Sequence, residues 1–167
     1  EIYPLSLKDV LPIYASNNTF MLLQRNNYNA YHDALSGLYN RRYFIEYMES
    51  MIERLSVTGR SAYILLIDLD HFKNINDSLG HDIGDLVLRE VARRISEFCR
   101  DSYVVARLGG DEFVVVSKEF DREEKLTANI KKYAESLLEK LKEPYIIEHH
   151  HLYIGASIGL SKIEKTE

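Results

Sequence analysis

Two runs rich in β-formers, Tyr103-Val-Val-Ala-Arg107 and Glu112-Phe-Val-Val-Val-Ser117, flank Gly109-Gly110-Asp111. Glycines supply the positive φ that tight hairpin turns need, so this pattern predicts a β-hairpin. Ala62-Tyr-Ile-Leu-Leu-Ile-Asp68 is a short continuous apolar run between breakers, which favours a buried strand over a helix. Helical periodicity surrounds these strands. Phe44, Ile45, Met48, Met51, Ile52 and Leu55 recur at i, i+3, i+4, i+7 spacing, and Gly59 ends the pattern. Leu88, Val91, Ile95 and Phe98 mark a second amphipathic helix, after a polar stretch from Asp68 to Asp85. Leu126, Ile130, Tyr133, Leu137 and Leu141 mark a third, ended by Pro144. Tyr145–Ile147 and Leu152–Leu160 read as a final strand pair. The order predicts an α+β domain, an antiparallel-rich sheet with helices on one side.

At 167 residues the chain fits one domain with a sizeable core. Residues 1–31 stand apart. They are rich in Asn and Tyr, are interrupted by Pro4 and Pro12, and carry a helical stretch from Thr19 onward. They read either as a linker or tail of an upstream module, or as a disordered terminus. The net charge of −5 argues against a nucleic-acid binder, which usually shows a basic footprint. A small phosphorylated ligand is compatible with it, provided that cations neutralise the phosphates. The single Cys99 leaves no internal disulfide and fits a reducing compartment. No apolar run of about 18 residues occurs, and the first residues do not read as a signal peptide.

Three constellations carry chemistry. Asp68 and Asp70 follow the buried run and, at strand spacing, point to one face. A carboxylate there is costly unless paired or metal-bound; alternatively Asp68 caps a loop and Asp70 is solvated. The hairpin tip Gly109-Gly110-Asp111-Glu112 allows close approach to its backbone, or is an ordinary turn with solvated acids. Together, these acids can converge, and converging carboxylates need cations. Oxygen ligands select Mg²⁺ or Mn²⁺, and two such ions suit phosphoryl or nucleotidyl transfer. Lys73 adds a positive charge for phosphate oxygens. The third constellation, Asn74 to Asp85, is dense in Asn, Asp, His and Gly. Its carboxylate and amide groups suit the donors and acceptors of guanine; the alternative is a polar loop with Asp82 or Asp85 as helix N-cap. His149-His150-His151 reads as an exposed connector.

Four separated segments then resemble one family, the GGDEF-domain diguanylate cyclases. Arg107-Leu-Gly-Gly-Asp-Glu-Phe113 carries its signature. Asp68 to Asp85 looks like its metal- and guanine-binding segment. Asp33-Ala-Leu-Ser-Gly-Leu-Tyr-Asn-Arg-Arg42 resembles its opening segment, with Ser36 where Thr is usual, and Ala156-Ser-Ile-Gly-Leu160 its late strand. The match covers about residues 32 to 161 and places the domain at 32–167.

The resemblance implies an adenylyl-cyclase or polymerase-palm fold, with a ferredoxin-like core: a central, mostly antiparallel sheet flanked by helices. It implies condensation of two GTP into cyclic di-GMP with release of pyrophosphate. Asp68 and Asp111 would hold two Mg²⁺ or Mn²⁺ ions per half-site, with the Leu69 carbonyl and Glu112. Asp111 would also be the base for the ribose 3′-hydroxyl, and Lys73 would stabilise phosphate charge. Asn76 and Asp85 would read guanine; His81 and Phe72 would line the pocket, and Gly109 and Gly110 would let phosphates lie against the backbone. A second copy would complete the site, because each subunit holds one GTP. An upstream sensor is the expected neighbour, and a downstream phosphodiesterase domain belongs to an alternative reading. The stretch from Leu141 to Ser157 is similar to members fused to such a phosphodiesterase, where the domain is sometimes only a GTP-binding regulator. The domain is expected in the cytoplasm, within a protein open to membrane anchoring.

Two departures stand out. The family's feedback site is an Arg-x-x-Asp ending six residues before the first signature glycine; here the stretch is Arg100-Asp-Ser-Tyr103. The family also continues, past its late strand, with a helix contacting the triphosphate and a closing strand. These residues stop short of it, so a C-terminally truncated domain with weakened activity is the expectation.

Overall fold

The computed structural model describes residues 28–100, 103–121 and 127–164, with Met21 and Arg25 besides. Helix α1 (Arg41–Thr58) starts at Asn40, whose side-chain oxygen accepts the Tyr43 N–H at 3.0 Å. It ends at Gly59, in the left-handed region at φ 68°, whose N–H closes on the Leu55 carbonyl. Strand β1 (Ala62–Asp70) follows. The chain turns at His71, a non-glycine residue at φ 60°, into α2 (Phe72–Leu79), and at Gly80 into α3 (His81–Cys99).

The expected polar loop is therefore a helix. Phe72, Ile75 and Leu79 lie on one α2 face and pack on the core, a pattern that the polar residues between them obscure. The N-cap of α3 is Gly80 rather than Asp82 or Asp85. Asp82 instead sits in the first turn, where a carboxylate favours the helix dipole.

Strands β2 (Tyr103–Gly109) and β3 (Glu112–Ser117) form the expected hairpin, with a bulge between Arg107 and Gly109. Helix α4 (Thr127–Lys142) ends before Pro144; Leu126 lies outside the described residues. The final strand pair is corrected. Tyr145–Ile147 (β4) pairs with His150–Leu152 (β5) in a small hairpin of its own, and Gly155–Ile163 (β6) joins the main sheet along β1. The histidines thus occupy the turn and second strand of that small hairpin, with His149 and His151 exposed.

The main sheet has the order β2-β3-β1-β6, antiparallel throughout. With helices between β1 and β2 and between β3 and β6, this is the split βαββαβ arrangement of ferredoxin-like domains. One face buries Leu65, Ile67, Leu69, Phe113 and Val115 under α3 and α4. The other is partly covered by α1, whose Met51 and Leu55 seal Ala62, Ala106, Val114 and Val116. Helices therefore lie on both faces rather than one. Burying each of Met51 and Leu55 contributes about 1.5–3 kcal/mol. That cover stops short: Leu66 is 51% exposed and Asp68 is exposed. The sheet is open where β1 ends.

Arg94 locks the far end. Its guanidinium is buried, donates to the carbonyls of Lys140, Glu143 and Pro144 and to Glu90, and lies 3.8 Å from the Tyr145 ring centroid. Among the described residues, no helix is long and apolar enough to cross a membrane.

Candidate active site

Four pieces of chain meet at the open end: the end of β1, the start of α2, the β2–β3 turn and the start of β6. Antiparallel register decides what faces what, because directly paired residues share a face. Asp68 is paired with Glu112 on one side and Ser157 on the other. Asp70 is paired with Gly155, and its carboxylate accepts the Ser157 hydroxyl at 2.9 Å. A Cβ on Gly155 would lie 2.5 Å from Asp70 Oδ2, so the missing side chain is what makes room for that carboxylate.

The acids feel one another. Loss of hydration, then the like charges of Asp111, Glu112 and Asp70, push the Asp68 carboxyl above the usual carboxylate range. Among the described residues, however, no three acidic, histidine or cysteine side chains close on a single point. Asp68 and Glu112 are neighbours across the ladder, and half-buried Asp111 lies in the turn beside them. The Leu69 side chain is buried in the core, which leaves only its main chain for a ligand. The β1–β3 ladder ends at the Asp68–Glu112 pair, one residue before it.

The hairpin tip is braced. Gly109 and Gly110 take φ values of 144° and 51°, which side-chain-bearing residues rarely adopt. Arg107 donates from Nε and Nη2 to the Gly110 carbonyl, at 3.0 and 2.7 Å. Its Nη1 reaches Asp33 Oδ1 at 3.0 Å, and its main-chain N–H donates to the Tyr39 carbonyl at 2.8 Å. Asp33 also accepts the Ser36 N–H and hydroxyl. Burial pushes the Asp33 carboxyl up, but the Ser36 bonds and Arg107 outweigh it and hold it below its ordinary value. The opening segment is thereby tied to the turn that carries Asp111.

Lys73 is exposed one residue into α2. Phe72, expected to line a pocket, has its ring buried in the core at 6% exposure. Asn76 is half-buried late in α2; His81 and Asp85 are exposed on the first turns of α3, four residues apart and so on one face. Gly84, beside Asp85, is buried.

Several participants had no role on sequence grounds. Arg107 and Asp33 stood inside recognised segments, but their pairing across 74 residues has no local signal. Ser157 and Gly155 emerge only from the β6 register. Gly84 did leave a sign, since a glycine inside a helix needs a packing or functional reason.

This arrangement defines a class: an α+β domain whose split antiparallel sheet ends in an acidic cluster beside a polar helix pair. The family model of the diguanylate cyclase GGDEF domain matches residues 30–167, and the chain belongs to that family. It is 42% identical over 132 residues to the cyclic di-GMP phosphodiesterase NbdA of Pseudomonas aeruginosa, covering 79% of this chain and 16% of that protein. It is 40% identical over 132 residues to the bifunctional diguanylate cyclase/cyclic di-GMP phosphodiesterase MucR of the same organism, covering 79% and 18%. The chain thus spans less than a fifth of the length of either relative. Among solved structures, a sensory box/GGDEF family protein from Caulobacter crescentus superposes with a TM-score of 0.71 at 38% identity, covering 79% of this chain and 83% of that one.

Proposed function

We propose that the domain condenses two GTP molecules into cyclic di-GMP, with release of pyrophosphate. The observation that carries this reading is the acidic cluster at the open sheet end. Asp68, opposed by Glu112 and within electrostatic reach of Asp111 and Asp70, is held above its ordinary pKa by loss of hydration and then by those like charges. An oxygen-only donor set of that charge fits a hard divalent cation. Two Mg²⁺ or Mn²⁺ ions, held by Asp68 and Asp111 with Glu112 and the Leu69 carbonyl, would neutralise the triphosphate and polarise the reacting phosphorus. The chain's own groups do the rest. Asn76 and Asp85 fix the guanine, with His81 beside them, and Lys73 attracts phosphate oxygens. Gly109 and Gly110 leave their backbone open to the phosphates. Asp111 takes the proton of the ribose 3′-hydroxyl, whose oxygen attacks the α-phosphorus of the other GTP as pyrophosphate leaves. Each domain holds one GTP, so the reaction requires a second copy.

A second reading has its own support: the relative NbdA is named as a phosphodiesterase alone. In that case the domain binds GTP as a regulator without turnover. Incubation with GTP and Mg²⁺ separates the two. Cyclic di-GMP and pyrophosphate that vanish in Asp111→Ala support the enzyme; saturable GTP binding without product supports the regulator. The absence of both overturns both readings.

A further inference from the structure

We infer that Gly84 is a positioning residue that sets the Asn76 amide for base recognition. This deepens the proposed function and rests on its reading of Asn76 as a guanine contact. A helical Cα–Cβ bond tilts toward the N-terminus, so a side chain at position 84 projects toward the turn where α2 enters α3. That space is already taken. A Cβ there would overlap Asn76 Oδ1 outright and would lie 3.0 Å from Asn76 Cγ and 3.3 Å from Phe72 Cζ. The main chain holds the same residue from behind: Gly80 N–H donates to the Asn76 carbonyl at 2.9 Å, and Gly84 N–H donates to the Gly80 carbonyl at 3.2 Å. The buried Phe72 ring closes the other side of the slot. Gly84 has a negative φ and sits in a regular helix, so backbone strain does not call for glycine at this position. On propensity alone alanine would be better there. What excludes alanine is the Asn76 amide. Asp85, the next residue on the exposed side, is left free to make its own contact with the base.

The test is a double-mutant cycle on the natural full-length polypeptide, reading GTP affinity, steady-state kinetics and melting temperature. Gly84→Ala should evict the amide and weaken GTP binding about 5- to 30-fold, the range for leaving one recognition hydrogen bond unmade. KM should rise with kcat little changed, and Asn76→Ala should weaken binding by a similar factor. Gly84→Ala added to Asn76→Ala should cost no further affinity and should not lower the melting temperature, because the obstructing amide is gone. Wild-type GTP affinity in Gly84→Ala overturns the inference while leaving the proposed function standing. An equal loss in both backgrounds also overturns it, since Gly84 would then act by packing alone. If Asn76→Ala itself binds GTP normally, the reading of Asn76 fails, and the inference with it.

Discussion

The Arg107–Asp33 clamp offers the sharpest quantitative test of how the hairpin tip is held. Replacing Arg107 with Met keeps most of the volume and removes every guanidinium bond. Two of those bonds share the Gly110 carbonyl and count as little more than one, at about 1.5–3 kcal/mol for a charged donor. The pair with Asp33 is 11% and 25% exposed, between the exposed case of about 0–1 kcal/mol and the buried case of about 3–5 kcal/mol. Arg107→Met should therefore cost about 2–4 kcal/mol in urea unfolding with an unchanged m-value. In a cycle with Asp33→Ala the coupling should be about 1–2 kcal/mol. The pH dependence follows from the lowered Asp33 pKa. The stabilisation is fully present above the ordinary carboxylate value and is lost as pH falls through the lowered folded value. Additivity within about 0.3 kcal/mol at neutral pH would refute the clamp, as would a coupling that persists in strong acid.

Asp68→Asn should raise the melting temperature in EDTA at pH 7. Its folded pKa is raised, so ionised Asp68 disfavours the fold. The gain should fade as pH falls through the raised folded value and be gone below the ordinary carboxylate value, and scanning calorimetry across pH would show it. Arg94→Lys should cost about 2–4 kcal/mol in denaturant, since one ammonium cannot replace a planar fork bonded to three carbonyls and a carboxylate. Product inhibition should be weak or absent. Tyr103 stands where the family's feedback site has an Asp, and its ring stacks on Tyr133 at 4.7 Å between centroids. An inhibition constant equal to that of relatives with the intact Arg-x-x-Asp would contradict this.

Much of the fold was legible because its signals are local. Gly109-Gly110 between two β-rich runs, Gly59 after a helical stripe, and Pro144 after another each act within a turn of chain. α2 escaped because three apolar residues carry its buried face amid polar neighbours. The small β4–β5 hairpin escaped because three-residue strands leave almost no alternation to read. The candidate site was legible only in its residue types; the register sets Asp68 opposite Glu112, with Asp111 in the adjoining turn and Lys73 exposed near the start of α2. Its braces were not, because the Asp33–Arg107 and Asp70–Ser157 pairs span 74 and 87 residues and exist only once the register is set. Phe72 shows the limit in the other direction, since its burial under α3 depends on a helix that composition concealed.

The most direct measurement of the central claim is product formation from GTP and Mg²⁺ by the natural protein, beside Asp111→Ala. Cyclic di-GMP and pyrophosphate in the first and neither in the second is the predicted result. Bound GTP that is never converted, or product that survives Asp111→Ala, would contradict it.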